Sequence, residues 1–529
     1  MLVLRLSARF PLRFLIALVL GALHACGFLA DSAWPLQVVA LAALLAAGRP
    51  TAGRPPDPWV EARAGFAFGL AWFLSGTYWT YVSMHTYGGM PGPIAAAATL
   101  ALCAYMALYP ALACGVWAGL TARRDLSPAR SLLLVFPACW MVAEWLRGVV
   151  LTGHPWLASG YAHIASPLAG YAPLLGVYGV GLAAALCAGA LVLLGARPHR
   201  PGRTRLAVLT LAAVLAGGQL LRQPAWSEPA GAPLQARLLQ GNIDQELKFV
   251  PGRFEATVRT YLDLVTARPA DLIVLPETAL PRFLHNLPPN VLDRLQDWAR
   301  TSHSSIAFGV PLAEGGAYYN SVVALTPDGA PLQRYDKHHL VPFGEFIPWG
   351  FRWFVNLMHI PLGDFARGRG DAPPLRLAGH AVAFNICYED LFGAEIARQA
   401  VDADILVNVS NVAWFGDTLA LPQHLQAARM RALETARPML RATNTGMTAA
   451  IDARGVVQAV LPAFTVGALD VQVQGTRGAT PYLWWRDGGV LVAGALLLAG
   501  ALAGGRAGGR REVAGNALTR RRSPTRETA

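Results

Sequence analysis

Two short stretches place an acid and a thiol just past apolar runs, and a third sets an amine among polar and aromatic residues. Leu272-Ile273-Val274-Leu275 runs straight into Pro276 and Glu277. Tyr335-Asp336-Lys337-His338-His339 opens a dense polar and aromatic stretch that reaches Glu345. The run from Ala381 to Ile386 ends abruptly on Cys387, Tyr388, Glu389 and Asp390. Five of the six cysteines (Cys26, Cys103, Cys114, Cys139 and Cys187) lie inside long apolar runs, where a thiol behaves as a small hydrophobe. Cys387 sits in the one large segment of ordinary soluble composition, without a local disulfide partner. A thiol with a reference pKa of about 8.5 is only slightly ionised at neutral pH, so a nucleophilic cysteine needs a base or a cation beside it. Glu277 offers the base and Lys337 the positive charge. Lys337 and the backbone N–H of Tyr388 offer donors to a developing oxyanion. Together these groups make up an acyl-transfer site. An inert buried cysteine, a solvated glutamate and a surface lysine are the competing reading, and spacing alone leaves the choice open. The adjacent His338 and His339 lack the spacing of a helical metal pair, and no G-x-S-x-G elbow, P-loop or C-x-x-C pair is present. The chemistry therefore calls for no metal and no organic cofactor.

The elements that must carry these residues alternate. Short β-rich runs are predicted at Ala236 to Leu239, Leu272 to Leu275, Ser305 to Phe308, Val322 to Leu325, Val382 to Asn385, Ile405 to Val409 and Thr448 to Ile451. Helical patterns are predicted at Arg253 to Ala267, Pro289 to Ser302, Ala394 to Ala400 and Pro422 to Thr435. Strands with near-continuous apolar faces set between helices predict a layered α/β domain. Proline cannot continue a central strand, so Glu277 is expected at a strand's end.

The rest of the chain is apolar. Of its 529 residues 54% are hydrophobic and 14% charged, where a soluble globular chain carries roughly 25% charged. Eight apolar runs approach the length that crosses a bilayer: Phe14 to Phe28, Leu36 to Ala47, Ala64 to Met84, Pro93 to Leu120, Leu132 to Leu151, Tyr171 to Leu194, Leu206 to Leu221 and Gly488 to Ala503. Arginines such as Arg123, Arg124 and Arg130, or Arg200, Arg203 and Arg205, occupy every second loop, and the alternate loops contain no Lys or Arg. The positive-inside rule then predicts cytoplasmic termini and an α/β domain on the outer side. The net charge of +12 is accounted for by topology and anionic-lipid contact, not by nucleic-acid binding. The expected layout is a seven-span membrane domain over 1–222, the outer domain over 223–486, an eighth span over 487–505 and a basic, disordered cytoplasmic tail over 506–529. Within the fifth run Glu144 and Arg147 share a helix face. Charges there must pair or face a cavity, and contact with a lipid-entry cavity is one expectation for them.

The quoted stretches resemble a known family. LPET around Glu277, DKHHLVPFGEFIP around Lys337 and NICYED around Cys387 are similar to the Glu-Lys-Cys motifs of the nitrilase superfamily. The likeness is closer to its membrane-embedded branch, the apolipoprotein N-acyltransferases, and extends to SNVAWFGD (Ser410 to Asp417), QHLQAARMRALETARP (Gln423 to Pro438) and RATNTG (Arg441 to Gly446). The resemblance implies a multi-pass α-helical membrane protein of about eight spans with an inserted nitrilase-like αββα sandwich. It implies that Cys387 is the nucleophile, Glu277 the general base and Lys337 the stabiliser of the tetrahedral intermediate, with Glu345, Tyr388 and Glu389 in support. Phe249 stands where the family often has Trp, and Val412 where it often has Asp; Phe249 and Trp414 are candidate substrate contacts.

The implied reaction moves an acyl chain from a phospholipid, through a Cys387 thioester, to the α-amino group of a diacylglyceryl-modified apolipoprotein. Its setting is the bacterial inner membrane, with the catalytic domain in the periplasm and the chain a monomer. Two other functions compete with it: a membrane-anchored amidase in which water resolves the thioester, and a non-catalytic membrane scaffold carrying a nitrilase-like module.

Overall fold

The computed structural model describes residues 2–48, 56–196, 200–245, 252–348, 350 and 364–503, with side chains from 12 onward. Phe249 and the basic tail over 506–529 lie outside the described residues. Among the described residues seven long helices precede the sheets: α1 (Leu2–Cys26), α2 (Trp34–Ala47), α3 (Pro58–Gly76), α4 (Gly92–Arg123), α5 (Phe136–Val149), α6 (Ala172–Leu194) and α7 (Pro201–Leu221). By length and composition, four segments among the described residues can cross a membrane: Gly92–Arg123, Pro128–Thr152, Pro167–Leu194 and Pro201–Leu221. Leu12–Cys26, Trp34–Ala47 and Asp487–Ala503 are apolar but shorter. α3 carries Glu61, which pairs with Arg13 of α1 at 2.5 Å. Asp57 starts α3 by accepting from the backbone N–H of Trp59 at 2.8 Å and of Val60 at 3.2 Å, with proline at the first helical position. Small residues then let α3 lie close to α4: a Cβ at Gly65 would stand 2.5 Å from the Pro110 carbonyl oxygen.

The strands run β1 (Ser227–Pro229), β2 (Leu234–Gln240), β3 (Leu272–Val274), β4 (Ser305–Glu314), β5 (Ala317–Leu325), β6 (Gln333–Asp336), β7 (Leu375–Leu377), β8 (His380–Ile386), β9 (Ile405–Ser410), β10 (Met439–Thr443), β11 (Thr448–Ile451), β12 (Val457–Leu461), β13 (Gly467–Val473) and β14 (Thr476–Gly478). Two six-stranded sheets result, ordered β13-β2-β3-β4-β5-β6 and β12-β11-β10-β9-β8-β7. β2, β3 and β4 are parallel in the first, and β8, β9 and β10 in the second.

Alternation along the strands builds the layers. Ala236, Leu238, Leu272 and Val274 of the first sheet share one core with Val382, Phe384, Ile386 and Val407 of the second. The other face of the first sheet packs on α8 (Phe254–Thr266) and α9 (Pro289–Thr301). The other face of the second packs on α10 (Gly393–Ala400) and α11 (Ala420–Thr435). The product is an αββα sandwich, the layered α/β domain that the strand and helix pattern predicted in the form that the family resemblance implied. β1 and β14 pair antiparallel where the chain enters and leaves the sandwich, and α12 (Asp487–Ala503) follows.

The sandwich is joined to the helical part by its second helix layer. Tyr388, Leu391, Phe392, Ala420, Ala427 and Met430 belong to the same apolar core as residues of α1 to α6. Polar contacts fasten the joint: Gln423 donates to the Gly76 carbonyl at 3.0 Å and accepts from the indoles of Trp79 and Trp156. Gln426 donates to the Phe28 carbonyl at 3.0 Å, and Glu434 accepts from the Val177 N–H at 2.7 Å.

Candidate active site at the strand ends

The carboxyl ends of parallel strands are where an open α/β sheet presents its chemistry. Here two sheets contribute. Glu277 follows β3, Lys337 follows β6 and Cys387 follows β8. Lys337 is fully buried, and its Nζ lies 2.9 Å from Glu345 and 3.5 Å from Glu277. Asn320, on β5, donates from Nδ2 to Glu277 at 2.8 Å and to Glu345 at 2.7 Å, so one amide orients both carboxylates. The second oxygen of Glu277 accepts from the Asn411 N–H at 2.7 Å, just past β9, and that of Glu345 from the Val341 N–H at 2.8 Å.

Cys387 is partly exposed and opens a single 3-10 turn, Cys387–Leu391. Its φ is +53°, a left-handed conformation that costs a non-glycine residue on the order of 1 kcal/mol. Glu389 holds the turn. Its buried carboxylate accepts from the Ile386 N–H at 2.6 Å, the His338 N–H at 2.7 Å, the His339 N–H at 2.9 Å and the Tyr335 hydroxyl. One side chain thereby ties the segment after Lys337 to the turn that bears Cys387.

The electrostatics follow from burial and these neighbours. Burial, with Glu277 second, pushes the Cys387 thiol above the ordinary cysteine range, against the pull of Lys337. A thiol in this setting rests protonated and needs a base at the moment of attack. Burial disfavours the charge on Lys337, but Glu345 and Glu277 outweigh it and hold the ammonium above the usual lysine range. Burial raises Glu389 to about 7, opposed by the His339 amide, Lys337 and the Ile386 amide. Base, cation and thiol thus interact within one cluster, which equips it for covalent acyl transfer.

Glycine makes the placement of Glu277 possible. A Cβ at Gly309 of β4 would lie 2.5 Å from the Pro276 carbonyl oxygen and 2.7 Å from the Glu277 Cα, both backbone atoms that cannot step aside. Gly309→Ala is therefore expected to lower acyl transfer by about 10²-fold, the scale for a misplacement near 1 Å. A comparison of initial rate with thermal melting would check it, since the loss of rate should exceed any loss of fold.

Tyr388 is buried among His154, His339 and Phe392, and its hydroxyl donates to the Gly153 carbonyl at 2.9 Å. Glu144 and Arg147 are 4% and 1% exposed. Arg147 donates to the carbonyls of His154 at 2.5 Å and Trp156 at 2.7 Å, while Glu144 accepts from the Ser159 N–H at 2.8 Å. The pair itself is 3.8 Å apart. Both side chains hold the loop on which the Cys387 turn rests. Trp414 is 40% exposed on the turn Val412–Phe415, and Val412 is buried. The hydrogen bonds of Glu144 and Arg147 run to His154, Trp156 and Ser159.

Sequence reasoning did not single out Asn320, Asn408, Asp390, His424 or Arg441. A lone asparagine inside an apolar strand, as in Tyr319-Asn320-Ser321, was the available signal for the first. His424 and Arg441 lay within stretches already set apart by the resemblance but without a role.

Residues 235–482 match the carbon-nitrogen hydrolase family, which fixes the class of the sandwich. Residues 20–190 match the apolipoprotein N-acyltransferase N-terminal domain. The apolipoprotein N-acyltransferase of Ralstonia nicotianae is 50% identical over 493 residues, 92% of this chain and 92% of that one. That of Bordetella bronchiseptica is 48% identical, covering 92% of this chain and 96% of its own. That of Nitrosomonas europaea is 44% identical, covering 93% and 97%. The chain belongs to the apolipoprotein N-acyltransferase family.

Proposed function

We propose that this protein transfers an acyl chain from a membrane phospholipid to the α-amino group of the N-terminal diacylglyceryl-cysteine of apolipoproteins, by way of a thioester on Cys387. The observation that carries the reading is the convergence of Glu277 and Lys337 on a cysteine turn whose residues Tyr388, Leu391 and Phe392 are packed into the helical core. A soluble amidase has no use for a nucleophile seated against apolar helices, whereas a lipid ester needs one.

In the first step Glu277 takes the thiol proton as sulfur bonds to the ester carbonyl carbon. The carbon–oxygen bond then breaks, and the leaving lysophospholipid oxygen receives that proton. In the second step the free amine attacks the thioester, giving its proton to Glu277, and the carbon–sulfur bond breaks to leave an amide. The proton returns to sulfur. Lys337 and the Tyr388 N–H stabilise the oxyanion of both tetrahedral intermediates, while Glu345, through Lys337, and Glu389, through the turn, keep the donors in place. Every proton is accounted for by the chain's own residues. Trp414 and Phe249 are proposed contacts to lipid or apolipoprotein, and Glu144 and Arg147 serve the site through the loop they hold.

The same reading places the enzyme in the bacterial inner membrane as a monomer of eight spans. Both termini are then cytoplasmic and the domain over 223–486 is periplasmic, in line with the distribution of arginines among the loops. Incubation of the purified full chain with phosphatidylethanolamine alone is expected to add the mass of one acyl chain, labile to hydroxylamine. Absence of that adduct from active enzyme would overturn the thioester. Free fatty acid without an acylated amine, when a diacylglyceryl peptide is supplied, would assign water as the acceptor instead.

A further inference from the structure

Behind the candidate nucleophile lies a buried polar network that the two-step chemistry above does not use. The main-chain carbonyl of Cys387 accepts two side-chain hydrogen bonds, from His424 Nε2 at 3.2 Å and from Asn408 Nδ2 at 3.2 Å. Each donor is itself oriented. Arg441 donates from Nη2 to His424 Nδ1 at 2.6 Å. Since a guanidinium has only donors, that nitrogen must present its lone pair and the ring proton must sit on Nε2. Asp390 completes the arrangement: it shares the single Nε2–H of His424 with the Cys387 carbonyl, lying at 2.7 Å, and accepts from Arg441 Nη1 at 2.9 Å. On the other side the Ser410 hydroxyl donates to Asn408 Oδ1 at 2.6 Å, which leaves the Asn408 amide nitrogen to donate to Asn385 Oδ1 at 2.6 Å and to the Cys387 carbonyl. Asp390, Asn408, Ser410, His424 and Arg441 are all buried, at 1% exposure or less.

The carbonyl held in this way is one half of a rigid plane. In a trans peptide the C=O of Cys387 and the N–H of Tyr388 point in opposite directions. Fixing the carbonyl from behind fixes the direction of the amide in front. That N–H lies in the first turn of a short helix, whose opening donors have no intrahelical acceptor. At Cys387 φ is +53°, so the plane needs outside support to stay where it is.

We propose that His424, held as its Nε2–H tautomer by Arg441, and Asn408, held by Ser410, are positioning residues. They clamp the Cys387 carbonyl so that the Tyr388 N–H is aimed at the oxyanion of the acyl-transfer intermediate. The clamp works without a change of charge. Burial, then Arg441, lowers the pKa of His424, and the charged groups that face its ring are Arg441 and Asp390, which pair with each other.

This inference rests on the thioester reading, and the experiment keeps the two apart. The full chain is mixed with phosphatidylethanolamine in detergent micelles, and the rate of thioester formation is followed by intact mass over a range of pH and lipid concentration. The unsubstituted chain in the same run reports on the thioester itself. His424→Phe and Asn408→Leu are each expected to slow acylation by about tenfold to 10²-fold, a part of the loss that follows removal of a whole oxyanion donor. The lipid concentration for half-maximal rate should stay within about twofold, and the pH profile should keep its shape. His424→Gln, which retains a nitrogen donor at the same reach, should recover to within about fivefold of the unsubstituted rate. It carries the test if the phenylalanine variant does not fold. Acylation by His424→Phe or Asn408→Leu within about twofold of the unsubstituted rate would overturn the clamp. A shifted pH limb in His424→Gln would also overturn it, because the histidine would then be exchanging protons.

Discussion

Replacing Cys387 with alanine is expected to lower both lysophospholipid release and N-acylation by about 10⁴-fold or more, the scale seen when an activated nucleophile is removed from its base. Serine should do little better. Burial and Glu277 already hold the thiol in its protonated form, and a hydroxyl is a far weaker acid than a thiol, so the same base would face a harder proton transfer. The fold should not share in the loss. Alanine and serine meet the same left-handed backbone as cysteine does at φ +53°, and their melting temperatures should stay near that of the unsubstituted chain. Glycine gives a sharper check. Relief of the positive φ is worth about 1 kcal/mol, so Cys387→Gly should be inactive yet melt no lower than the unsubstituted protein. A glycine variant that melts much lower would show that the thiol contributes packing the turn depends on.

The second large effect is at Lys337. Its ammonium is buried and is the cation that lies between Glu345 at 2.9 Å and Glu277 at 3.5 Å. Lys337→Met keeps the length and apolar stem but leaves two carboxylates sharing the Asn320 amide. Two costs should follow. Acyl transfer should fall by about 10³-fold through loss of an oxyanion donor, and stability should drop by about 3–5 kcal/mol, as when one partner of a buried ion pair is removed. A second substitution separates them. In Lys337→Met with Glu345→Gln one uncompensated charge is gone, so thermal melting should recover much of the lost stability while the rate stays low. Recovery of rate along with stability would mean that the lysine serves only to neutralise the carboxylates.

The parts of this site that were legible in the sequence are those that strand grammar exposes. The apolar runs ending in Pro276-Glu277 and in Cys387 are strands whose last residues reach the carboxyl edge of a sheet, and both stand there. What stayed hidden depends on contacts between distant segments. Nothing about Asn320 in sequence tells that its amide will lie between two glutamates from different loops. The left-handed turn at Cys387 carries no glycine to announce it. Its support comes from Glu389, His424 and Asn408, of which only the first is a chain neighbour. The fold class was open to composition and periodicity. The number of spans was less so: α3 pairs its Glu61 with Arg13, and among the described residues four segments have the length and apolar character to cross on those grounds alone.

The apolar joint between α11, the turn at Tyr388 and the membrane helices carries a practical consequence. Leu391, Phe392, Ala427 and Met430 lie in one core with residues of α1 to α6, so the catalytic half is no detachable module. Severed for study in water, it would trade an interior for an exposed greasy face, and the loop that receives the Tyr388 hydroxyl would be missing. An inhibitor screen run on such a fragment would be aimed at a target whose proposed nucleophile had lost its floor. On the proposed reading lipid would do more than supply the acyl chain: by holding the helices it would also stand behind the geometry of Cys387.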